Sequence, residues 1–204
     1  MQRSAATFAT FVLLASTAAP LSAQDRRLAD RLDPVTSTAV QQLVDSARAL
    51  QLPTEPLVQK ALEGSTLGAG GERIRLAVGA LFGQLERARG ALGPAATEAE
   101  LTAGAGALRA GLTTETLQRL QSLRQGRPLV VPLSVLTDLV AEGMTADLAA
   151  RSVFDLVRNG RPDGDFVALR RRVQTELRSG ARRDDGPPGR SGARPAADPP
   201  SQRP

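Results

Sequence analysis

The sequence contains no cysteine, histidine, tryptophan or tyrosine. Without thiolate or imidazole ligands, the usual structural zinc sites and haem or copper sites are not expected. The same absences remove the cysteine nucleophile and the histidine base of a catalytic triad. Catalysis would have to use carboxylates, hydroxyls, arginine or the single lysine, Lys60. We therefore expect a non-enzymatic protein that holds no cofactor and no metal.

The N-terminal segment is typical of a secretory signal peptide. Arg3 precedes an uncharged apolar run over residues 5–19, and residues 20–23 then offer small side chains for cleavage before Gln24. The run is shorter than the roughly 20 residues that cross a bilayer core. We expect residues 1–23 to be a signal peptide cleaved near Ala23. The product would be periplasmic or secreted, and not an integral membrane protein.

The remaining residues divide by composition into a domain and a tail. Residues 24–179 carry periodic apolar positions and predict one α-helical domain. Residues 180–204 contain six of the 14 prolines and almost no large apolar side chain, which predicts a disordered Arg/Pro-rich tail. The formal net charge is +5, yet residues 24–177 hold 19 basic and 18 acidic side chains. The basic charge is therefore concentrated near the C-terminal end.

Arginines in that region form the candidate binding site. Their charge would attract an anionic lipid or polysaccharide surface, although a solvated helix face followed by a solubilising tail is the favoured interpretation. Specific nucleic-acid binding is not expected, because Phe166 is the only aromatic residue near enough to stack on a base. The candidates are Arg170, Arg171, Arg172, Arg178, Arg182 and Arg183.

Regularly spaced glycines predict the fold class. Gly93, Gly111, Gly126, Gly143 and Gly160 separate segments in which apolar residues recur every three to four positions, the pattern of amphipathic helices. Two of these glycines begin near-repeats, GLTTE and GMTAD. The sequence predicts an all-α protein with about eight short helices. They would form an antiparallel helical-hairpin array or a compact bundle.

Several helix starts carry capping signals. Thr97 with Glu100 matches a capping box, and Thr113 and Thr145 are predicted N-caps. The pairs Glu115–Arg119 and Asp147–Arg151 have the spacing of ion pairs on one helix face.

Three further local predictions concern less regular segments. Gly64 should end the second helix, leaving Glu63 in its last turn. Phe82 should be buried, because it lies on the most regular apolar stripe. Residues 127–132 contain a β-branched run that could form a short extended segment, but their two prolines favour an apolar connector over a central strand.

Two resemblances to known proteins are loose. Residues 52–92, with the segments PTEPL at 53–57 and KALEG at 60–64, resemble exported α-helical proteins of GC-rich bacteria, which implies no activity. Glu63 before Ser65, with a glycine-containing segment at residues 79–84, weakly resembles lytic transglycosylases, in which a glutamate is the general acid. The serine does not directly follow Glu63, and the tyrosines of such sites are absent.

These observations leave three functional hypotheses. The first is an exported helical interaction or scaffold protein that binds a protein partner in the cell envelope. The second is a tether that holds an anionic envelope polymer or membrane through its Arg-rich end. The third is a hydrolase or lyase of envelope polymer that uses carboxylates alone, with Glu63, Asp138 and Glu142 as candidates.

Overall fold

A computed structural model describes residues 23–184, and this part of the chain is all-helical, with nine α-helices and no β-strand. The all-α prediction is confirmed. The helices are α1 (Ala23–Ala29), α2 (Pro34–Ala49), α3 (Glu55–Thr66), α4 (Gly71–Leu92), α5 (Glu98–Arg109), α6 (Thr114–Leu123), α7 (Val130–Ala141), α8 (Ala146–Arg158) and α9 (Asp163–Asp184).

Much of the predicted signal peptide and tail lies outside the described residues. The described chain begins at Ala23 in α1, and α9 reaches Asp184, beyond the predicted start of the tail at residue 180. No helix between residues 23 and 184 is both long and apolar enough to cross a membrane. Contacts group the chain into two compact units that divide inside α4, between Gly83 and Gln84. The domain boundaries given above stay predictions.

The first unit is built around α1, α2 and α3, which pack against one another. A close contact joins the starts of α2 and α4. Asp33 caps α2, with its Oδ1 accepting a hydrogen bond of 3.0 Å from the Thr36 N–H. The Thr36 side chain is buried, and its hydroxyl accepts a 3.3 Å hydrogen bond from Arg75 Nη1. A Cβ at Gly71 would overlap Thr36 Oγ1, so α4 begins with a glycine that permits this close approach. The fully buried apolar residues of this unit are Leu28, Val40, Val44, Ala47, Leu57, Val58, Ala61 and Val78.

The second unit is centred on α7, which packs against α5, α8 and α9. A helix that is apolar on most of its surface must be covered on most sides, and α7 is such a helix. A further contact joins α6 to α8. Residues of α7 that are buried include Pro132, Leu133, Val135, Leu136 and Leu139.

The predicted helix boundaries at Gly64 and at residues 127–132 are wrong. Gly64 lies inside α3, which continues to Thr66. A Cβ at Gly64 would lie 2.9 Å from Ile74 Cγ1 of α4, so the glycine at this position permits close packing of α4 and does not end the helix. The predicted connector ends where α7 begins, at Val130. Pro132 is tolerated there because it lies in the first turn of α7. The backbone N–H groups of a first turn have no carbonyl partner within the helix, so a proline at this position removes no helical hydrogen bond.

The predicted burial of Phe82 is also wrong, because this side chain is only partly buried. The fully buried positions of α4 are Val78, Leu85 and Ala88. Phe82 lies one helical turn from both Val78 and Leu85, at the edge of this buried stripe, and its side chain is therefore partly exposed.

The predicted caps are confirmed. Thr97 and Glu100 form a capping box, Thr113 accepts from the Thr116 N–H at 3.3 Å, and Thr145 accepts from the Leu148 N–H at 3.4 Å. The five regularly spaced glycines all adopt positive φ angles, between 64° and 99°. This is the left-handed conformation that ends a helix at low cost.

Glu100 connects the starts of two helices. Its Oε2 accepts a 2.9 Å hydrogen bond from the Thr97 N–H, and its Oε1 accepts one of 2.8 Å from the Leu129 N–H, immediately before α7. Burial raises the pKa of Glu100, but these backbone hydrogen bonds and one from the Thr97 hydroxyl outweigh it, so the pKa lies below its ordinary value of 4.5. The charged form is therefore the one that stabilises this junction.

Acid should weaken the junction at Glu100. A carboxyl whose pKa is lower when folded contributes full stability above its unfolded pKa, here 4.5, and loses it as pH falls through the folded value. We expect the free energy of unfolding to fall between about pH 5 and pH 3, and to fall less in Glu100→Gln. Denaturant unfolding at both pH values measures this. Glu98→Gln, in the same turn, should retain the wild-type decline, and an equally steep decline in Glu100→Gln would contradict this role.

Candidate functional site

The arginines singled out from the sequence all lie on α9, and the side chains of Arg170, Arg171 and Arg172 are described. Arg170 donates a 2.7 Å hydrogen bond from Nη1 to Asp138 Oδ2 of α7. Arg171 and Arg172 are exposed. The side chains of the other three candidates, Arg178, Arg182 and Arg183, lie outside what the structure describes. A role for this set in binding anionic surfaces stays a prediction.

The three candidate catalytic carboxylates each contact a neighbouring donor. Glu63 is exposed and accepts from Lys60 Nζ at 2.9 Å. Asp138 is bound to Arg170 as described above, and Glu142 Oε1 accepts from Gln174 Nε2 at 2.9 Å. In the part of the chain that the structure describes, no cluster of three or more acidic residues could hold a metal ion.

Arg124 is a buried cation that the sequence reasoning missed. It directly follows α6, and only 2% of its side chain is exposed. Its Nε donates to the Pro128 carbonyl at 2.9 Å, its Nη2 is paired with Asp163, and the guanidinium lies 5.2 Å from the centre of the Phe166 ring. A buried charge needs such partners to be tolerated. Arg124 therefore joins the end of α6, the following turn and the start of α9.

Arg124 also borders a cavity of about 360 Å³. Its Nη1 atom is buried and has no hydrogen-bond partner among the described residues. The Glu100 carboxylate lines the same cavity. Arg124 and the exposed Arg127 are balanced by Glu100 and Asp163, so the surroundings carry no excess charge that would select an anion. We interpret this place as a structural junction.

A second cavity, of about 240 Å³, lies between α6 and α8, and we call it the α6/α8 groove. The GLTTE and GMTAD near-repeats start these two helices. Corresponding residues of the repeats therefore face the same cavity, with Glu115 and Arg119 matched by Asp147 and Arg151. The lining residues are Glu115, Thr116, Arg119, Asp147, Ala150, Arg151 and Phe154.

The ion pairs predicted along these helices are wrong. Between residues 23 and 184 no ion pair joins Glu115 to Arg119 or Asp147 to Arg151. Arg119 instead lies over the Phe154 ring of the neighbouring helix, 5.0 Å from its centre. A cation over an aromatic ring is favourable. Here the contact of Arg119 with Phe154 replaces the predicted ion pair with Glu115, which would contribute little at the protein surface.

Glu115 is held at the start of its own helix. Its Oε1 accepts a 3.2 Å hydrogen bond from the Thr114 hydroxyl. Its own backbone N–H lowers the pKa of Glu115 most, followed by the hydroxyls of Thr113 and Thr114. This carboxylate therefore acts locally on the helix terminus, which carries partial positive charge.

The α6/α8 groove thus presents two guanidinium groups on neighbouring helices beside a buried aromatic ring. Planar guanidinium groups are well suited to bind carboxylates through two parallel hydrogen bonds. In the groove these two arginines are accompanied by two carboxylates, Glu115 and Asp147, and the described lining contains no nucleophile held by a base. No family model, curated protein or solved structure matches this chain.

Proposed function

We propose that this chain is an exported, non-enzymatic interaction protein of the cell envelope that binds a protein partner in the α6/α8 groove. The observation that carries the proposal is the matched placement of Arg119 and Arg151 around one cavity by two near-repeats. In this proposal the repeats give a periodic binding face, which is how stacked helical repeats commonly recognise partners.

The packing of the second unit supports an array of antiparallel helical hairpins. In this arrangement α5, α7 and α9 form one layer, since α7 packs against both of the others. The contact between α6 and α8 would form a second layer. The connections between successive helices are short, as antiparallel neighbours require. The groove would then lie along the outside of the second layer.

Export is the second part of the proposal. Its support is the sequence pattern of residues 1–23, a basic start, an apolar run and small residues before the cleavage position. Fractionation of expressing cells followed by N-terminal sequencing tests it. We expect the chain in the periplasmic or secreted fraction with Gln24 as its first residue. Recovery of the uncleaved chain in the cytoplasm would contradict export.

A pull-down from envelope extract tests the interaction. The bait is the purified protein, compared with Arg151→Glu in the groove and Arg172→Glu on α9. Both arginines are exposed, so neither change should disturb the core. We expect one protein to be retained in saturable amount by the wild type and by Arg172→Glu, and to be lost with Arg151→Glu. Retention that is equal for all three baits would contradict a binding role for the groove.

The competing tether hypothesis draws support from the exposure of Arg171 and Arg172 on α9. It predicts that membrane or polysaccharide, and no protein, is retained at low salt and released at high salt. Under that hypothesis Arg172→Glu, or removal of residues 180–204, would abolish retention while Arg151→Glu would not. The two hypotheses therefore give opposite results with the same pair of variants.

A further inference from the structure

We infer that the centre of α4, residues 79–84, is a flexible joint at which the helix opens locally while the compact units on either side stay folded. The inference goes beyond the proposed function, because it concerns a motion within the chain and not a partner. Its evidence comes from the burial along α4, from two glycines inside the helix, and from the place at which the two units divide.

The buried stripe of α4 is interrupted at its centre. Val78 and Leu85 are buried and lie two turns apart, and every residue between them is half-buried or exposed. Elsewhere in α4, from Ile74 onward, successive buried residues are at most four positions apart. Most of the stability of a helix in a protein comes from packing of its apolar face. The centre is therefore the part of the helix interior that packing stabilises least.

Two glycines weaken the same segment. Gly79 and Gly83 lie one turn apart on one face of α4, and a Cβ at either position would meet open space in the described structure. Close packing therefore does not require a glycine at these two positions, whereas it does at Gly71. A glycine inside a helix is unfavourable relative to alanine, because its backbone loses more conformational freedom on folding. Both glycines thus lower the free energy needed to open the helix at this point.

The weak segment coincides with the division between the two compact units, which falls between Gly83 and Gln84. Val78 belongs to the buried core of the first unit, and Leu85 is buried in the second. Segments with few buried apolar contacts are those that open without global unfolding, and glycines are common where helices bend. Opening at this point would leave both cores intact and would uncouple the motion of one unit from that of the other.

Amide hydrogen exchange, followed residue by residue by NMR, tests the inference. The proteins are the wild type, the double variant Gly79→Ala/Gly83→Ala and the control Gly90→Ala. Gly90 is a matched control because it is exposed on the same helix and a Cβ there would also meet open space. It differs in lying between two buried residues, Ala88 and Ala91, outside the proposed joint.

In the wild type, we expect the amides of residues 81–86 to be at least tenfold less protected than those of residues 75–78 and 88–91. The double variant should raise the protection of the central amides about tenfold. Gly90→Ala should leave these amides unchanged, because it stabilises a part of the helix that stays closed when the joint opens. Equal protection along α4 in the wild type would overturn the inference, and so would a gain at the centre in Gly90→Ala.

Limited proteolysis with chymotrypsin, which cleaves after phenylalanine, gives a second readout. Of the three phenylalanines in the described chain, Phe154 and Phe166 are buried, and Phe82 lies in the proposed joint. We expect cleavage after Phe82 to be at least tenfold faster than at the other two, to slow about tenfold in the double variant, and to be unchanged in Gly90→Ala. Cleavage at all three sites with one rate would contradict the inference, because global unfolding alone would then expose them.

Discussion

Gly71→Ala is expected to destabilise the protein by about 3 kcal/mol. The new methyl group would overlap the hydroxyl of Thr36 and lie 2.9 Å from Asp33 Oδ2. Thr36 is fully buried and cannot turn away without losing its hydrogen bond from Arg75. The starts of α2 and α4 must therefore separate, and that disturbs the cap made by Asp33. Chemical denaturation measures the loss.

A glycine in the same helix supplies the matched control for Gly71→Ala. A Cβ at Gly79 would meet open space, so Gly79→Ala should stabilise the protein by roughly 0.5–1 kcal/mol through helix propensity alone. Adding Thr36→Ala to Gly71→Ala should recover part of the loss, because it removes the overlapping hydroxyl. If Gly71→Ala matched Gly79→Ala in sign and size, the close approach of α2 and α4 described here would be wrong.

The second large effect is expected at Arg124. Arg124→Met keeps most of the bulk but removes the hydrogen bond to Pro128 and the ion pair with Asp163. We expect a loss of about 2–3 kcal/mol, because the Pro128 carbonyl loses its charged donor and the ion pair with Asp163 is removed from a buried guanidinium position. Asp163 is 45% exposed and can be hydrated, which keeps the loss from being larger. The measurement is the shift of the urea midpoint at constant slope.

Arg127→Met is the control for Arg124→Met. Arg127 lies three residues further along in the same turn and is exposed, so its replacement should change stability by less than about 0.5 kcal/mol. Arg124→Lys should fall between the two, since one ammonium group cannot reproduce the two separate contacts of the guanidinium. Equal midpoints for Arg124→Met and Arg127→Met would show that Arg124 does not join these three segments.

Local signals in the sequence were sufficient for most of the helices. Apolar periodicity predicted the stripes that contain Val40, Leu117 and Val153, and the threonine caps and left-handed glycines set many of the ends. Periodicity fails where a segment is apolar all round, as at Val130, because no polar face marks the helix start. It fails at Gly64 for another reason, since a glycine inside a helix and one at its end look alike in sequence.

Contacts between segments that are far apart in the sequence could not be predicted from local sequence patterns. The tight junction at Gly71 depends on Asp33 and Thr36, which lie far away in sequence and are adjacent only in the fold. Arg124 had a usable signal, because it falls on the same helical stripe as Leu117 and Leu120. A cation on an apolar stripe predicts a buried partner, although the sequence does not say which acid it is.

Local sequence patterns did not predict the α6/α8 groove, because they do not show which of two weak interactions an arginine makes. Spacing alone favoured ion pairs within α6 and within α8, but such pairs contribute little at a surface. A contact across the helices, from Arg119 to Phe154, replaces one of them. The near-repeat was visible in sequence, and only the packing of α6 on α8 turned it into a groove.

Site-specific photo-cross-linking tests the central claim, that a protein partner occupies the α6/α8 groove, most directly. A photoreactive amino acid replaces Thr116, which lines the groove, or Arg172, which is exposed on α9. After irradiation in envelope extract, we predict one saturable protein adduct from position 116 and none from position 172. No adduct at position 116, or adducts at position 172 alone, would contradict the account.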